Sequence, residues 1–134
     1  MPGILHEALV LLLREHPRLL HLADLPEDGW APAPTDLGQA LPAELRADLV
    51  LHHPQHDVVV DVQLRPDPRK HPAWAAYQAN HHIRSRRPTL VLVVTTSPAV
   101  ARWARQPYPL GGGSTFQARV LDLSRLPLHP DPRD

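Results

Sequence analysis

The chain has 134 residues, of which 43% are hydrophobic and 21% charged, and its acidic and basic side chains are equal in number. This length fits one domain with a substantial hydrophobic core and argues against two domains. The absence of cysteine excludes disulfides, zinc–thiolate sites and cysteine nucleophiles. No apolar run approaches the roughly 20 residues that span a bilayer, and the start of the chain lacks the pattern of a secretory signal. We therefore expect a soluble, cytoplasmic protein.

The hydrophobic pattern of the first half predicts one helix followed by strands. Apolar residues at helical spacing form the helix, and a short polar turn between the last two strands indicates an antiparallel hairpin. The predicted elements are a helix over residues 4–22 with a break near Pro17, a loop over 24–34, a short strand over 35–41, and strands over 44–53 and 57–64.

The second half predicts helices alternating with strands. Prolines suit the first position of each helix, and a continuous β-branched run indicates a strand covered on both faces. These elements are a helix over residues 72–86, a strand over 89–96, a helix over 98–105 capped by Ser97, and a last strand over 116–123. The expected fold is a single mixed α/β domain over residues 1–125, with a central sheet flanked by helices and a Pro-rich tail over 126–134.

The two halves of the chain carry opposite charge. Residues 1–64 contain ten acids and three arginines, whereas residues 65–134 contain eleven lysines or arginines and four aspartates. This asymmetry is what a metal site facing a polyanion would need, namely an acidic pocket beside a basic surface. Simple attraction between the two halves in the folded protein is the alternative, and the sequence favours it slightly.

Polar residues at the end of the 57–64 strand are the main functional clue. Alternation places Val60 and Val62 on one face and Asp61 and Gln63 on the other. A carboxylate and an amide on one strand face are costly to bury unless they are paired or bind something. The preceding strand carries Asp48, and an antiparallel hairpin could bring the two carboxylates together.

These acids predict a site for a hard cation. Asp48 and Asp61, with Glu7 from the first helix, supply the oxygen ligands that suit Mg²⁺, which typically uses one or two carboxylates and several waters. The alternative role for Glu7 is that of a first-turn acid complementing the helix dipole, and the sequence does not separate the two.

A histidine metal site is the main rival chemistry. His52, His53 and His56, together with the pair His81-His82, have suitable residue types. Neighbours on a strand point to opposite faces, which argues against their convergence. A serine triad is not indicated, because the chain has no Gly-x-Ser-x-Gly motif.

The arrangement resembles the PD-(D/E)XK nuclease superfamily, and its flanking residues resemble the recombination-promoting nuclease and transposase branch. The resemblance covers roughly residues 4–105. The segments that carry it are Ile4-Leu5-His6-Glu7-Ala8-Leu9, Arg46-Ala47-Asp48-Leu49-Val50, Val60-Asp61-Val62-Gln63 and Ala99-Val100-Ala101-Arg102-Trp103-Ala104. It implies a restriction-endonuclease-like sheet.

The resemblance implies a metal site made of Glu7, Asp48 and Asp61, with Gln63 orienting the attacking water. Gln63 stands where the superfamily usually has lysine, and glutamine cannot supply positive charge to a developing phosphorane. Lys70 and Arg65 lie just downstream and could supply that charge from a displaced position. The sequence favours the alternative that both are ordinary loop cations.

The expected function is Mg²⁺- or Mn²⁺-dependent hydrolysis of DNA phosphodiesters. The implied partner is DNA, without membrane association, and the resemblance allows a homodimer. A nuclease-like domain that no longer cuts and serves as a binding or assembly module is the alternative. The candidate phosphate contacts are Arg65, Arg69, Lys70, Arg84, Arg86 and Arg87.

Overall fold

The computed structural model describes residues 3–33 and 47–126 of the chain. Three α-helices, one 3₁₀ segment and seven strands form this part. In chain order they are α1 (Ile4–Glu15), the 3₁₀ segment Pro17–Ala23, β1 (Ala31–Ala33), β2 (Leu49–His52), β3 (Asp57–Val62), α2 (Lys70–Ser85), β4 (Thr89–Thr95), α3 (Pro98–Arg105), β5 (Tyr108–Gly111), β6 (Ser114–Phe116) and β7 (Arg119–Asp122).

A five-stranded mixed sheet forms the centre of the fold, in the order β1-β2-β3-β4-β7. The first three strands pair antiparallel, while β3 with β4 and β4 with β7 pair parallel. Strands β5 and β6 form a separate antiparallel hairpin. The mixed α/β class predicted from the sequence is therefore confirmed.

Each face of the sheet carries its own hydrophobic core. Alternate residues of the central strands, such as Val58, Val60 and Val62, pack with α1 and the 3₁₀ segment. The intervening positions, such as Val59, pack with α2 and α3, where Trp74 is fully buried. Because side chains alternate along a strand, Asp57 and Asp61 share the α2 side of β3.

Several element bounds differ from those predicted. The first helix ends at Glu15 because Pro17 starts a 3₁₀ segment that runs to Ala23. Part of the predicted 24–34 loop forms β1, which pairs with β2. The predicted last strand is divided between β6 and β7. The predicted strand at 35–41 and most of the tail at 126–134 lie outside the described residues.

Helix α2 begins at Lys70, two residues before its predicted start. The turn that precedes it is built on Asp67, whose carbonyl accepts the Lys70 N–H at 2.9 Å and whose carboxylate accepts the Arg69 N–H at 3.0 Å. Asp67 thus closes the turn before the helix. No helix among the described residues has both the length and the apolar character that crossing a membrane would require.

Candidate active site

Asp48 and Asp61 meet at one end of the β2–β3 hairpin. The register pairs Leu49, the first residue of β2, with Val60, so Asp48 and Asp61 are the chain neighbours of this pair. Asp48 donates its backbone N–H to the Val60 carbonyl at 3.2 Å and accepts the Val62 N–H on Oδ2 at 2.8 Å. The two carboxyl groups lie within hydrogen-bonding distance of each other. The convergence expected from the sequence is present.

Asp61 is buried beside a second acid, which changes its protonation. Its exposed fraction is 3%. Burial, followed by the hydrogen bond with Asp48, raises the pKa of Asp61 to about 7, although the Lys70 ammonium acts in the opposite direction. Two adjacent carboxylates in a dry site cannot both ionise without cost. Asp61 therefore keeps its proton to a higher pH than an ordinary aspartate does.

One face of α2 covers this acid pair. Lys70, Trp74 and Tyr77 follow one another at helical spacing, at positions i, i+4 and i+7. Trp74 donates its indole N–H to Oδ2 of Asp61 at 2.7 Å. Burial and the nearby Asp61 and Asp48 carboxylates raise the pKa of Tyr77, which keeps its hydroxyl neutral.

Lys70 is the cation of the site. Its Nζ lies 3.4 Å from Oδ2 of Asp61, and its side chain is 26% exposed. The expectation that Lys70 is an ordinary loop cation is wrong, because the earlier start of α2 turns its side chain toward Asp61. The signal that sequence reasoning missed is Asp67, an aspartate well placed to close a turn just before a helix.

Glu7 does not join the two aspartates. Its side chain is 66% exposed in the first turn of α1, where an acid favours the helix dipole. The α1 residue that contacts the pair is His6, whose Nε2 lies 3.2 Å from Oδ2 of Asp48. Within residues 3–33 and 47–126, no three His, Asp or Glu side chains form a group that could hold an ion.

Gln63 is buried just beyond the end of β3. Its backbone N–H continues the ladder by donating to the Val94 carbonyl at 2.8 Å. Its side-chain amide donates to the carbonyl of Arg65, which directs the amide nitrogen into the connection before α2. Gln63 therefore follows Asp61 by two residues, and the Arg65 carbonyl holds its amide nitrogen.

The candidate phosphate-binding cations lie at opposite ends of α2. Arg65 and Arg69 are exposed beside Lys70, and Arg69 forms an ion pair with Asp67 at 3.1 Å. Arg84 and Arg86 are exposed at the other end. The fourteen helical steps from Lys70 to Arg84 correspond to about 21 Å of helix. The sixth candidate, Arg87, is half-buried and bonded to Asp57, so its guanidinium has a structural partner.

A second polar centre surrounds Asp57, at the other end of β3. Asp57 is fully buried and accepts hydrogen bonds from His52 Nδ1 at 2.7 Å, His81 Nε2 at 2.7 Å and Arg87 Nε at 2.9 Å. Burial alone would raise the pKa of Asp57, but these three donors lower it below its ordinary value. The site was not foreseen, because its donors come from β2, α2 and the segment before β4.

Comparison of the chain with protein-family models, with curated proteins and with solved structures found no match.

The two aspartates of β3 have opposite electrostatic environments. Asp57 is an ionised carboxylate whose neighbours neutralise it, as expected of a structural anchor. Asp61 is a carboxyl group placed beside another acid, and only one ammonium, that of Lys70, lies against it. Perturbed acids of the second kind are typical of functional sites.

Proposed function

We propose that this protein is a Mg²⁺- or Mn²⁺-dependent DNA nuclease of the PD-(D/E)XK type, built on a restriction-endonuclease-like sheet. The observation that carries the proposal is the proximity of the Asp48 and Asp61 carboxyl groups, with the Lys70 ammonium 3.4 Å from Oδ2 of Asp61. Two acids and a lysine at the end of a hairpin are the set that the sequence resemblance implies. Here the lysine comes from α2.

The donor set of the site fits a magnesium ion. The hydrogen bonds from Val62 and Trp74 fall on Oδ2 of Asp48 and of Asp61, respectively. The oxygens that these donors do not hold are the ones that would bind the ion. Magnesium needs only one or two protein carboxylates, because waters and substrate phosphates complete its octahedron. When bound, the ion would polarise the phosphate and lower the pKa of a bound water.

Lys70 supplies the charge that Gln63 cannot. An ammonium group beside the acids stabilises the negative charge that develops on a phosphorane, as electrostatic catalysis requires. The carbonyl of Arg65 holds the Gln63 amide, so Gln63 supports the loop that leads to Lys70. Trp74 closes the site from the core side and excludes water from Asp61.

The basic half of the chain supports DNA as the substrate. Arg65 and Arg69 flank Lys70 and could bind the phosphates next to the cleaved bond. Arg86 lies near the far end of α2 and could contact the backbone several phosphates away. Such contacts position the duplex without reading its sequence.

Cleavage of plasmid DNA with and without millimolar Mg²⁺ tests the proposal. Asp48→Asn, Asp61→Asn and Lys70→Met should each abolish or strongly reduce cleavage. Glu15→Gln and Arg18→Ala, two exposed charges on α1 and the 3₁₀ segment, serve as charge-matched controls. Unchanged cleavage in the Asp61 variant would refute the proposal.

One observation favours the second candidate, a nuclease-like module that does not cut. Glu7 points to solvent, and both carboxyl groups already accept hydrogen bonds from the chain, Asp48 from the Val62 N–H and Asp61 from the Trp74 indole. Calorimetric titration with Mg²⁺ and Mn²⁺ separates the two functions. No binding at millimolar concentration would favour the inert module.

A further inference from the structure

His6 is the residue of α1 that faces the acid pair. Helix α1 buries Leu9, Val10 and Leu13 against the sheet. His6 precedes these residues by three, four and seven positions, so the helical period places it on the same buried stripe. Glu7, one residue later, is rotated by about 100° and faces solvent. The helix therefore presents a histidine to the site where the sequence resemblance implies a glutamate.

The imidazole of His6 is held between two acids. Its Nε2 lies 3.2 Å from Oδ2 of Asp48, and its Nδ1 lies 3.6 Å from Oε1 of Glu7. Oδ2 of Asp48 already accepts the Val62 N–H, so Nε2 carries the hydrogen and donates it. This leaves Nδ1 as a buried nitrogen without a hydrogen-bond partner among the described residues.

The half-buried imidazole of His6 on this apolar stripe carries a free-energy cost that another interaction must offset. An aliphatic side chain at position 6 would extend the stripe without leaving a nitrogen unsatisfied, and an unsatisfied buried group costs about 1–3 kcal/mol. The hydrogen bond to Asp48 is the compensating interaction. Together with the Val62 N–H, it fixes the orientation of the Asp48 carboxylate.

We propose that His6 is a positioning residue, which holds Oδ2 of Asp48 together with the Val62 N–H so that the other carboxylate oxygen faces Asp61. The inference rests on the proposed function, because it assigns His6 to the ion that the two aspartates would bind. Hydrogen-bond partners of metal ligands typically change metal affinity by about 10–100-fold when they are removed. Glu7, in this arrangement, contributes nothing to the affinity.

Calorimetric titration of the full-length protein with Mn²⁺ and with Mg²⁺ tests this assignment, and urea unfolding verifies that each variant is folded. His6→Ala should weaken ion binding by about 10–100-fold. His6→Gln should restore most of the affinity, because its terminal amide can donate from nearly the same place as Nε2. Glu7→Gln is the matched control and should bind the ion as the wild type does.

Cleavage kinetics supply a second measurement. If His6 acts through Asp48, His6→Ala should need more Mg²⁺ for half-maximal rate and should approach the wild-type kcat at saturating Mg²⁺. A purely structural role would lower stability without this shift. Unchanged ion affinity in His6→Ala, or an equal loss in Glu7→Gln, would overturn the inference while leaving the nuclease proposal intact. A wild type that binds no ion and does not cleave DNA would overturn both.

Discussion

Replacing Asp61 with asparagine should stabilise the metal-free protein, and the advantage should grow as the pH rises. A carboxyl group with a raised pKa in the folded state contributes most to stability below its unfolded pKa, and that contribution is lost as the pH rises through the folded pKa. For Asp61 the unfolded pKa is the ordinary value of 3.8 and the folded pKa is about 7. An amide has no charge to bury at any pH, and its oxygen can still accept the Trp74 N–H.

The structure gives the size of the effect. From pH 5 to the Asp61 pKa of about 7 is about two pK units, and each unit corresponds to 1.36 kcal/mol. The free energy of unfolding of Asp61→Asn, relative to wild type, should therefore increase by about 3 kcal/mol between pH 5 and pH 8. The half-buried His56 and the buried His71, whose pKa values burial lowers, titrate equally in both proteins and cancel in this difference.

Urea unfolding in the presence of a chelator, followed by tryptophan fluorescence at both pH values, measures this quantity. Asp57→Asn is the matched control, since Asp57 lies on the same strand and the same face. Three donors surround it, and removing its charge leaves them without their anionic partner, so this variant should lose about 3 kcal/mol, a change opposite in sign to that of Asp61→Asn. A flat pH dependence for the Asp61 variant, or similar behaviour of the two variants, would refute the electrostatic distinction between the aspartates.

Three further predictions concern the residues around the acid pair. Lys70→Met should lower the rate of DNA cleavage by about 10²–10³-fold while calorimetry still detects Mg²⁺ binding, because the ammonium acts on developing charge; an unchanged rate would remove Lys70 from the mechanism. Trp74→Phe keeps an aromatic ring in the core but loses the indole donor, so urea unfolding should show a free energy of unfolding lower by about 1–2 kcal/mol. An unchanged free energy would mean that the hydrogen bond to Asp61 does not stabilise the protein. Changing Arg65 and Arg86 together to glutamine should make the slope of log association constant against log salt concentration for duplex DNA shallower by about 1.8, if each contacts one phosphate. An unchanged slope would mean that neither residue contacts the DNA backbone.

The sequence predicted the antiparallel hairpin correctly because its signals are local. The alternation of Val60, Asp61 and Val62 shows which side chains share a face, and the turn between the strands sets their antiparallel pairing. The register then places Asp48 and Asp61 on either side of the Leu49–Val60 pair, at the same end of the hairpin. These contacts follow from the pattern of one short stretch of chain.

The residues contributed by the helices were harder to predict, because their orientation depends on where each helix begins. Proline at position 72 favoured a start there, but the turn closed by Asp67 moves the start to Lys70. Of the two neighbours on α1, Glu7 fits the chemistry of a metal ligand, whereas His6 fits the apolar stripe and is the one that faces the site. Weighing helical phase before residue type would have selected His6.

The position of Lys70 on a helix gives the β3–α2 connection a fixed length. Residues 63–69 link Val62 to Lys70, and one inserted residue would turn the start of the helix by about 100°. The ammonium would then leave Asp61, although the sheet and its two cores could still form. The tight turn at Gly111–Gly113 joins β5 and β6 away from these acids, so added residues there would leave the Lys70–Asp61 pair undisturbed. Insertions should therefore be tolerated at this glycine turn and selected against in the connection, where they would leave a folded protein without its lysine in place.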